Sequence, residues 1–201
     1  MKAIALATED ELSEAVGLRL LSEWGLLDEM SPLLLRKNGS GYLRSRMDSW
    51  LQMAHQHPVV IITDLDRVKC PSLMLSDWLA GKTRPENFLL RIAVREMESW
   101  VLADHVAVRK LIGDKGKLPP LPDELPDPKS FLLTLAKSAP RSIKDELVRS
   151  SGSISSQGIG YNRRLVELVN SDWSPERASE RSPSLVRARR RLYELALRCK
   201  A

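Results

Sequence analysis

The first half of the chain alternates short apolar runs with helical stripes, and the second half carries stripes alone. Lys2 to Thr8 predicts a short strand. Val59-Val60-Ile61-Ile62, four β-branched residues in a row, predicts a strand of a parallel sheet buried on both faces. Asn87 to Val94 predicts a third. The helix expected after the first strand spans Glu9 to Trp24, with Leu12, Val16, Leu20 and Trp24 on one side. Thr8 and Glu11 match a capping box at its start. Gly25 to Ser40 reads as a less ordered connection, broken by Pro32 and Gly39-Ser40-Gly41. Tyr42 to His55 predicts a helix burying Leu43, Met47, Trp50, Leu51 and Ala54. Cys70 to Ala80 predicts another, with Leu73, Leu75 and Trp78 turned inward. After the third strand a helix is expected to about Ile112, with Gly113 as its stop.

Asp104 falls inside the apolar stripe of that helix, where a carboxylate is expensive unless paired, capping or ligating. Lys115 to Lys129 holds five of the twelve prolines and reads as an extended linker. Helices are then expected from Asp127-Pro128, over Ser142 to Val148, from Tyr161 to Val169, and from Ser182-Pro183-Ser184 to the end. Ser150 to Gly160 reads as a loop, and Asn170 to Pro175 as a turn with Trp173 as an anchor. The order predicts an α/β fold: a mostly parallel sheet flanked by helices over residues 1–114. A helical C-terminal part, residues 115–201, packs on it in a single unit.

Composition narrows the setting. Of 201 residues 43% are hydrophobic, enough for a proper core. No apolar run is long enough to span a membrane, and the N-terminal run gives way at once to Glu9-Asp10-Glu11. Cys70 and Cys199 lack zinc-type spacing, which fits a reducing cytoplasm. The net charge of +5 is unevenly placed. From Arg177 onward eight Lys/Arg face two Glu, whereas the rest is nearly neutral. That surplus points to a localised polyanion contact rather than one over the whole surface.

The candidate chemistry lies where the strands end. Asp64 and Asp66 close the Val59 strand one residue apart, and alternate residues of an extended segment share a side. Two close carboxylates repel unless protons or a cation intervene, and a hard divalent cation is the usual solution. Right-handed crossovers bring Glu9, Asp64, Asp66 and the Glu96/Glu98 pair to one sheet edge. Glu9 serves equally well as a helix starter in the first turn. No nucleophile elbow, phosphate-binding loop or dinucleotide glycine fingerprint competes with these acids.

Several stretches resemble a TOPRIM-like (topoisomerase–primase) domain, closest to a bacterial TOPRIM-like family associated with ATPases in defence loci. They are Ile62-Thr63-Asp64-Leu65-Asp66, Ala93 to Asp104, Asp127-Pro128-Lys129, Gly160-Tyr161-Asn162 and Ser182-Pro183-Ser184-Leu185. The resemblance implies a Rossmann-like sheet and a Mg²⁺ or Mn²⁺ site held by Glu9, Asp64 and Asp66. Such domains usually place Gly after the first Glu, where this chain has Asp10. It further implies a metal-dependent nuclease acting with an ATPase partner. Glu96 or Glu98 would hold a second ion or act as base, and Lys129 would contact the scissile phosphate. Arg187, Arg190 and Arg191 would hold the nucleic-acid backbone. The alternative is a non-catalytic docking subunit of an ATPase complex.

Overall fold

The computed structural model describes residues 2–37, 39–149 and 157–200. Among them four strands form one all-parallel sheet: β1 (Lys2–Thr8), β2 (Met30–Arg36), β3 (Val59–Asp64) and β4 (Phe88–Ala93), in the order β2-β1-β3-β4. The helices are α1 (Glu11–Glu23), α2 (Leu26–Glu29), α3 (Ser40–Ser45), α4 (Met47–Met53), α5 (Pro71–Leu79), α6 (Met97–Ala103) and α7 (His105–Ile112). They continue with α8 (Pro128–Ala136), α9 (Arg141–Leu147), α10 (Tyr161–Ser171), α11 (Pro175–Ser179) and α12 (Pro183–Lys200).

Side-chain alternation assigns the two faces. Ile4, Leu6, Val60, Ile62 and Leu89 pack on one side against α1, α6, α8, α10 and α12. Ala5, Ala7, Val59, Ile61, Phe88 and Leu90 pack on the other against α3, α4 and α5. Both faces of β1, β3 and β4 are covered, so these strands read as continuous apolar runs rather than as alternation. Leu132, Leu165, Leu185, Leu192 and Leu195, all from beyond residue 115, belong to the same core as Leu6 and Val16. Among the described residues no helix is long and apolar enough to cross a membrane.

Several expectations are corrected. The stretch read as a connection contains β2, paired with β1 along its whole length. It escapes the apolar pattern because it is an edge strand: only Met30 is buried, Leu33 and Leu34 are exposed, and it carries Pro32. Proline is tolerated on an edge because one side of the strand needs no donors. The α1 cap is Asp10, whose carboxylate accepts from the Ser13 N–H at 2.8 Å and its hydroxyl at 2.7 Å. Glu11, expected in a capping box, instead pairs with Arg36 of β2 at 3.2 Å. The Tyr42–His55 helix is two helices meeting at Arg46. In α5 the buried residues are Met74 and Trp78, and Leu73 is exposed. The helix expected to Ile112 breaks at Asp104, which caps α7. The turn expected over Asn170 to Pro175 runs straight into α11. The serine-rich loop lies, over residues 150–156, outside the described residues.

Candidate active site

The strand order contains a topological switch point. The chain leaves β1 toward β2 on one side, and leaves β3 toward β4 on the other. The crevice beyond the carboxyl ends of two such strands is where open α/β sheets bind ligands. Glu9 follows β1 directly and Asp64 ends β3, so both acids stand at that crevice.

Glu9 is turned toward the neighbouring strand. Its Oε1 accepts from the Thr63 hydroxyl and, at 3.1 Å, from the Asp64 N–H. Asp10 does the capping, which frees Glu9 from the helix-starter role. Burial raises the Glu9 pKa, and the nearby charges of Asp66 and Asp10 add to it; the two hydrogen bonds oppose the rise. Asp64 is perturbed further. Its Oδ1 is buried with no hydrogen-bond partner. Burial, then the charges of Glu98, Glu9, Asp10 and Asp66, push its pKa well above the usual carboxylate range.

Asp66 sits in a left-handed backbone conformation, φ 49°. Its N–H donates to the Arg95 carbonyl at 2.9 Å, tying the loop after β3 to the loop after β4. The Arg95 guanidinium returns the tie, donating to the Val68 carbonyl at 2.7 Å. Asp66, Arg67, Arg95, Glu96 and Asp127 line an open cleft of about 690 Å³.

The expected catalytic residues divide between this cleft and the interior. Glu96 lines the cleft, and its Oε2 accepts from the Lys129 N–H at 2.9 Å. Burial raises its pKa, against the pull of that N–H. Glu98 is only 6% exposed and accepts from the Tyr161 hydroxyl at 2.9 Å. Its pKa rises chiefly by burial, opposed first by the charge of Lys129. The Lys129 ammonium lies 5.1 Å from the centre of the Tyr161 ring, a cation–π placement beside Glu98. Tyr161 itself is pushed upward, by burial and then by Glu98, so it stays protonated and donates.

Glu9, Asp64, Asp66, Glu96 and Glu98 therefore share one electrostatic neighbourhood. Among the described residues, however, no three His, Cys, Asp or Glu side chains converge closely enough to hold one metal ion. The donor chemistry still suits a hard divalent cation. Every group is an oxygen donor, and the orphaned Asp64 Oδ1 lacks the counter-charge that a buried carboxylate needs.

The basic residues expected on the last helix lie apart from the cleft. Arg187 and Arg191 face cavities along β4, while Arg190 lines neither of them. Arg191 pairs with Glu194 at 2.7 Å. Tyr161, Arg67, Arg95 and Arg91 were not singled out as site residues from the sequence. Arg91 left a signal, being one charge inside an otherwise apolar strand. Comparison with protein-family models, curated proteins and solved structures finds no match to this chain.

Proposed function

We propose that this chain is a TOPRIM-like, divalent-metal-dependent phosphodiester hydrolase, a nuclease that works with an ATPase partner in a bacterial defence or repair system. The observation that carries the reading is Asp64. It is a half-buried carboxylate whose Oδ1 is buried and unpartnered, at the switch point of a parallel sheet, crowded by other acids. A structural role would have supplied it with a donor. A cation-binding role leaves that oxygen open.

Glu9, Asp64 and Asp66 are the residues that would hold Mg²⁺ or Mn²⁺. The bound ion supplies Lewis-acid polarisation of a phosphoryl oxygen and a more acidic water. Glu9 keeps its Oε1 on β3 and offers its other oxygen. Glu96 keeps one oxygen on the Lys129 N–H, which fixes the carboxylate and leaves the second facing the cleft to take a proton from water. Burial raises its pKa, which makes it the stronger base. Arg67 and Arg95 flank the same cleft and would neutralise the non-bridging oxygens of the phosphate. Glu98, held by the Tyr161 hydroxyl, adds its charge to the crowding of Asp64, and Lys129 tempers it.

Purified protein with Mn²⁺ or Mg²⁺ should cleave DNA or RNA, and Asp64→Asn should lower the rate at least about 10³-fold. Absence of cleavage by the wild type with and without its ATPase partner, alongside unchanged biological activity of Asp64→Asn, would sink the reading. The spread of the acids favours one alternative, a docking subunit whose carboxylates hold no ion. Under that alternative, Asp64→Asn leaves ATPase binding and biological activity intact.

A further inference from the structure

A second site of opposite charge lies along the outer edge of β4. Arg91 sits in the middle of this edge strand and projects to the face covered by α12. Its Nε is buried with no hydrogen-bond partner. Leaving a guanidinium donor buried and unpaired is costly, so such a group asks for an acceptor. Among the described residues no carboxylate is hydrogen-bonded to it, although Glu194 shares a cavity with it. The nearest acid on α12, Glu194, is taken by Arg191 at 2.7 Å.

What surrounds Arg91 is instead cationic. On one side lies a cavity of about 190 Å³, lined by Arg91, Arg187, Ser72, Pro71 and Ser184, with no acidic residue in its wall. Pro71 and Ser72 form the first turn of α5, a nine-residue helix whose first N–H groups no side chain caps. A helix start of this kind favours an anion, through open N–H groups and the macrodipole. Arg187 is exposed and has no ion pair among the described residues. On the other side of Arg91 a second cavity is lined by Arg84, Arg191 and Arg198, together with Glu86 and Glu194. Positions 187, 191 and 198 fall on one stripe of α12, so the cations form a row along the strand edge.

We propose that Arg91, Arg187 and the first turn of α5 form a phosphate-binding site, and that the row continuing to Arg191 and Arg198 tracks the backbone of a nucleic-acid strand. The choice of a nucleic-acid ligand rests on the phosphodiester reading above; the anion site itself does not. Burial, with Arg191 and Arg84 nearby, lowers the Arg91 pKa to about 10, so it stays charged at neutral pH. A phosphate oxygen would accept from its Nε and relieve the repulsion among the arginines. The site is separate from the acid cleft but close to it. Arg91 pairs with Ile62 and Ala93 with Asp64, so Arg91 lies two rungs, roughly 7 Å, before the strand end. A strand held here would run on toward the cleft beyond β4.

The test is binding without chemistry. Full-length protein in EDTA is titrated into a labelled twelve-nucleotide single strand, followed by anisotropy at several salt concentrations. Arg91→Gln and Arg187→Gln should each bind about tenfold more weakly or worse, and the salt slope should fall by roughly 0.7 per phosphate contact removed. Arg141→Gln, on α9 and lining neither cavity, should bind as well as the wild type. Wild-type affinity and salt slope in a folded Arg91→Gln would overturn the site, as would binding of neither the oligonucleotide nor pyrophosphate by the wild type. If Arg91→Gln does not fold, Arg187→Gln on the exposed wall decides alone. Tight pyrophosphate binding with no binding of the oligonucleotide would overturn the strand assignment. Arg91-dependent binding without any cleavage when Mn²⁺ is restored, with and without the ATPase partner, and with unchanged biological activity of Asp64→Asn, would leave this site standing and remove the nuclease reading.

Discussion

Asp64 concentrates the conflict between stability and chemistry in a single side chain. Its pKa is displaced upward, so the favourable contribution belongs to the protonated form. That contribution is fully present below the ordinary carboxylate range and is lost as pH rises through the raised folded-state value. Asp64→Asn removes the titration while keeping the shape. In EDTA the variant should match the wild type near pH 4 and gain on it steadily toward pH 8. Each kcal/mol released should appear as about 2–4 °C in Tm for a chain of this length. Thermal melts of the two proteins across that range provide the check, and parallel curves would contradict it. Comparing the pair also cancels the surface carboxylates whose pKa values arginines and lysines hold down, such as Glu146 and Asp172. Added Mn²⁺ should narrow the gap by stabilising only the wild type.

Asp104 shows the same residue type doing the opposite work at the level of elements. It is fully buried, yet each oxygen is satisfied. Oδ1 accepts from the Ala107 N–H at 3.3 Å and from Arg177 Nε at 3.0 Å. Oδ2 accepts from the Ser174 N–H at 2.8 Å and Arg177 Nη2 at 2.7 Å. One carboxylate thus stops α6, starts α7 and seats α11. Two indole ties reinforce it: Trp173 Nε1 donates to the Trp100 carbonyl at 2.9 Å, and Trp100 Nε1 to the Ser184 hydroxyl at 2.7 Å. Asp104→Ala should destabilise the protein by about 2–4 kcal/mol, chiefly by stranding two buried N–H groups, since Arg177 is itself 40% exposed and recovers water. Urea melts should show that loss with little change in oligonucleotide affinity. A change under about 1 kcal/mol would mean that the three helices are held by packing alone.

These two aspartates also mark how far the sequence could be read. The apolar runs announce β1, β3 and β4 because burial on both faces keeps them apolar between their ends, Arg91 excepted. β2 is hidden because both of its faces and one edge meet solvent past Met30, so nothing forces its composition. The acids at the strand ends are legible through topology alone, since right-handed crossovers gather them. Their roles are not, because roles depend on long-range contacts. Glu9 reaches a hydroxyl 54 positions away and Glu98 a phenol 63 positions away, and local spacing carries no trace of either.

At the scale of the whole molecule the helical C-terminal part is inseparable from the sheet. α10 packs on α1 and α12 on β4, both sharing the core of that face of the sheet, with Arg198 of α12 donating to the Glu86 carbonyl at 3.0 Å. The chain should therefore unfold in one step. Tryptophan fluorescence and far-UV circular dichroism should give coincident urea transitions. A fragment ending at residue 114 should expose much of its core and lack that transition. Two resolved transitions would contradict the shared core.

The hydrogen bond from the Asp64 N–H to Glu9 has an experimental use of its own. Glu9 lies one residue past β1, and its carboxylate takes the place that a strand carbonyl would occupy beside the end of β3. The amide proton of Asp64 is thereby coupled directly to the charge on Glu9. Its resonance in a ¹⁵N–¹H spectrum should move when Glu9 gains a proton or engages a cation, while the Ala5 amide, bonded to the Pro58 carbonyl farther down the same strand pair, should stay still. The scaffold thus carries an intrinsic reporter of the ionic state of its own crevice, readable without substrate, label or turnover.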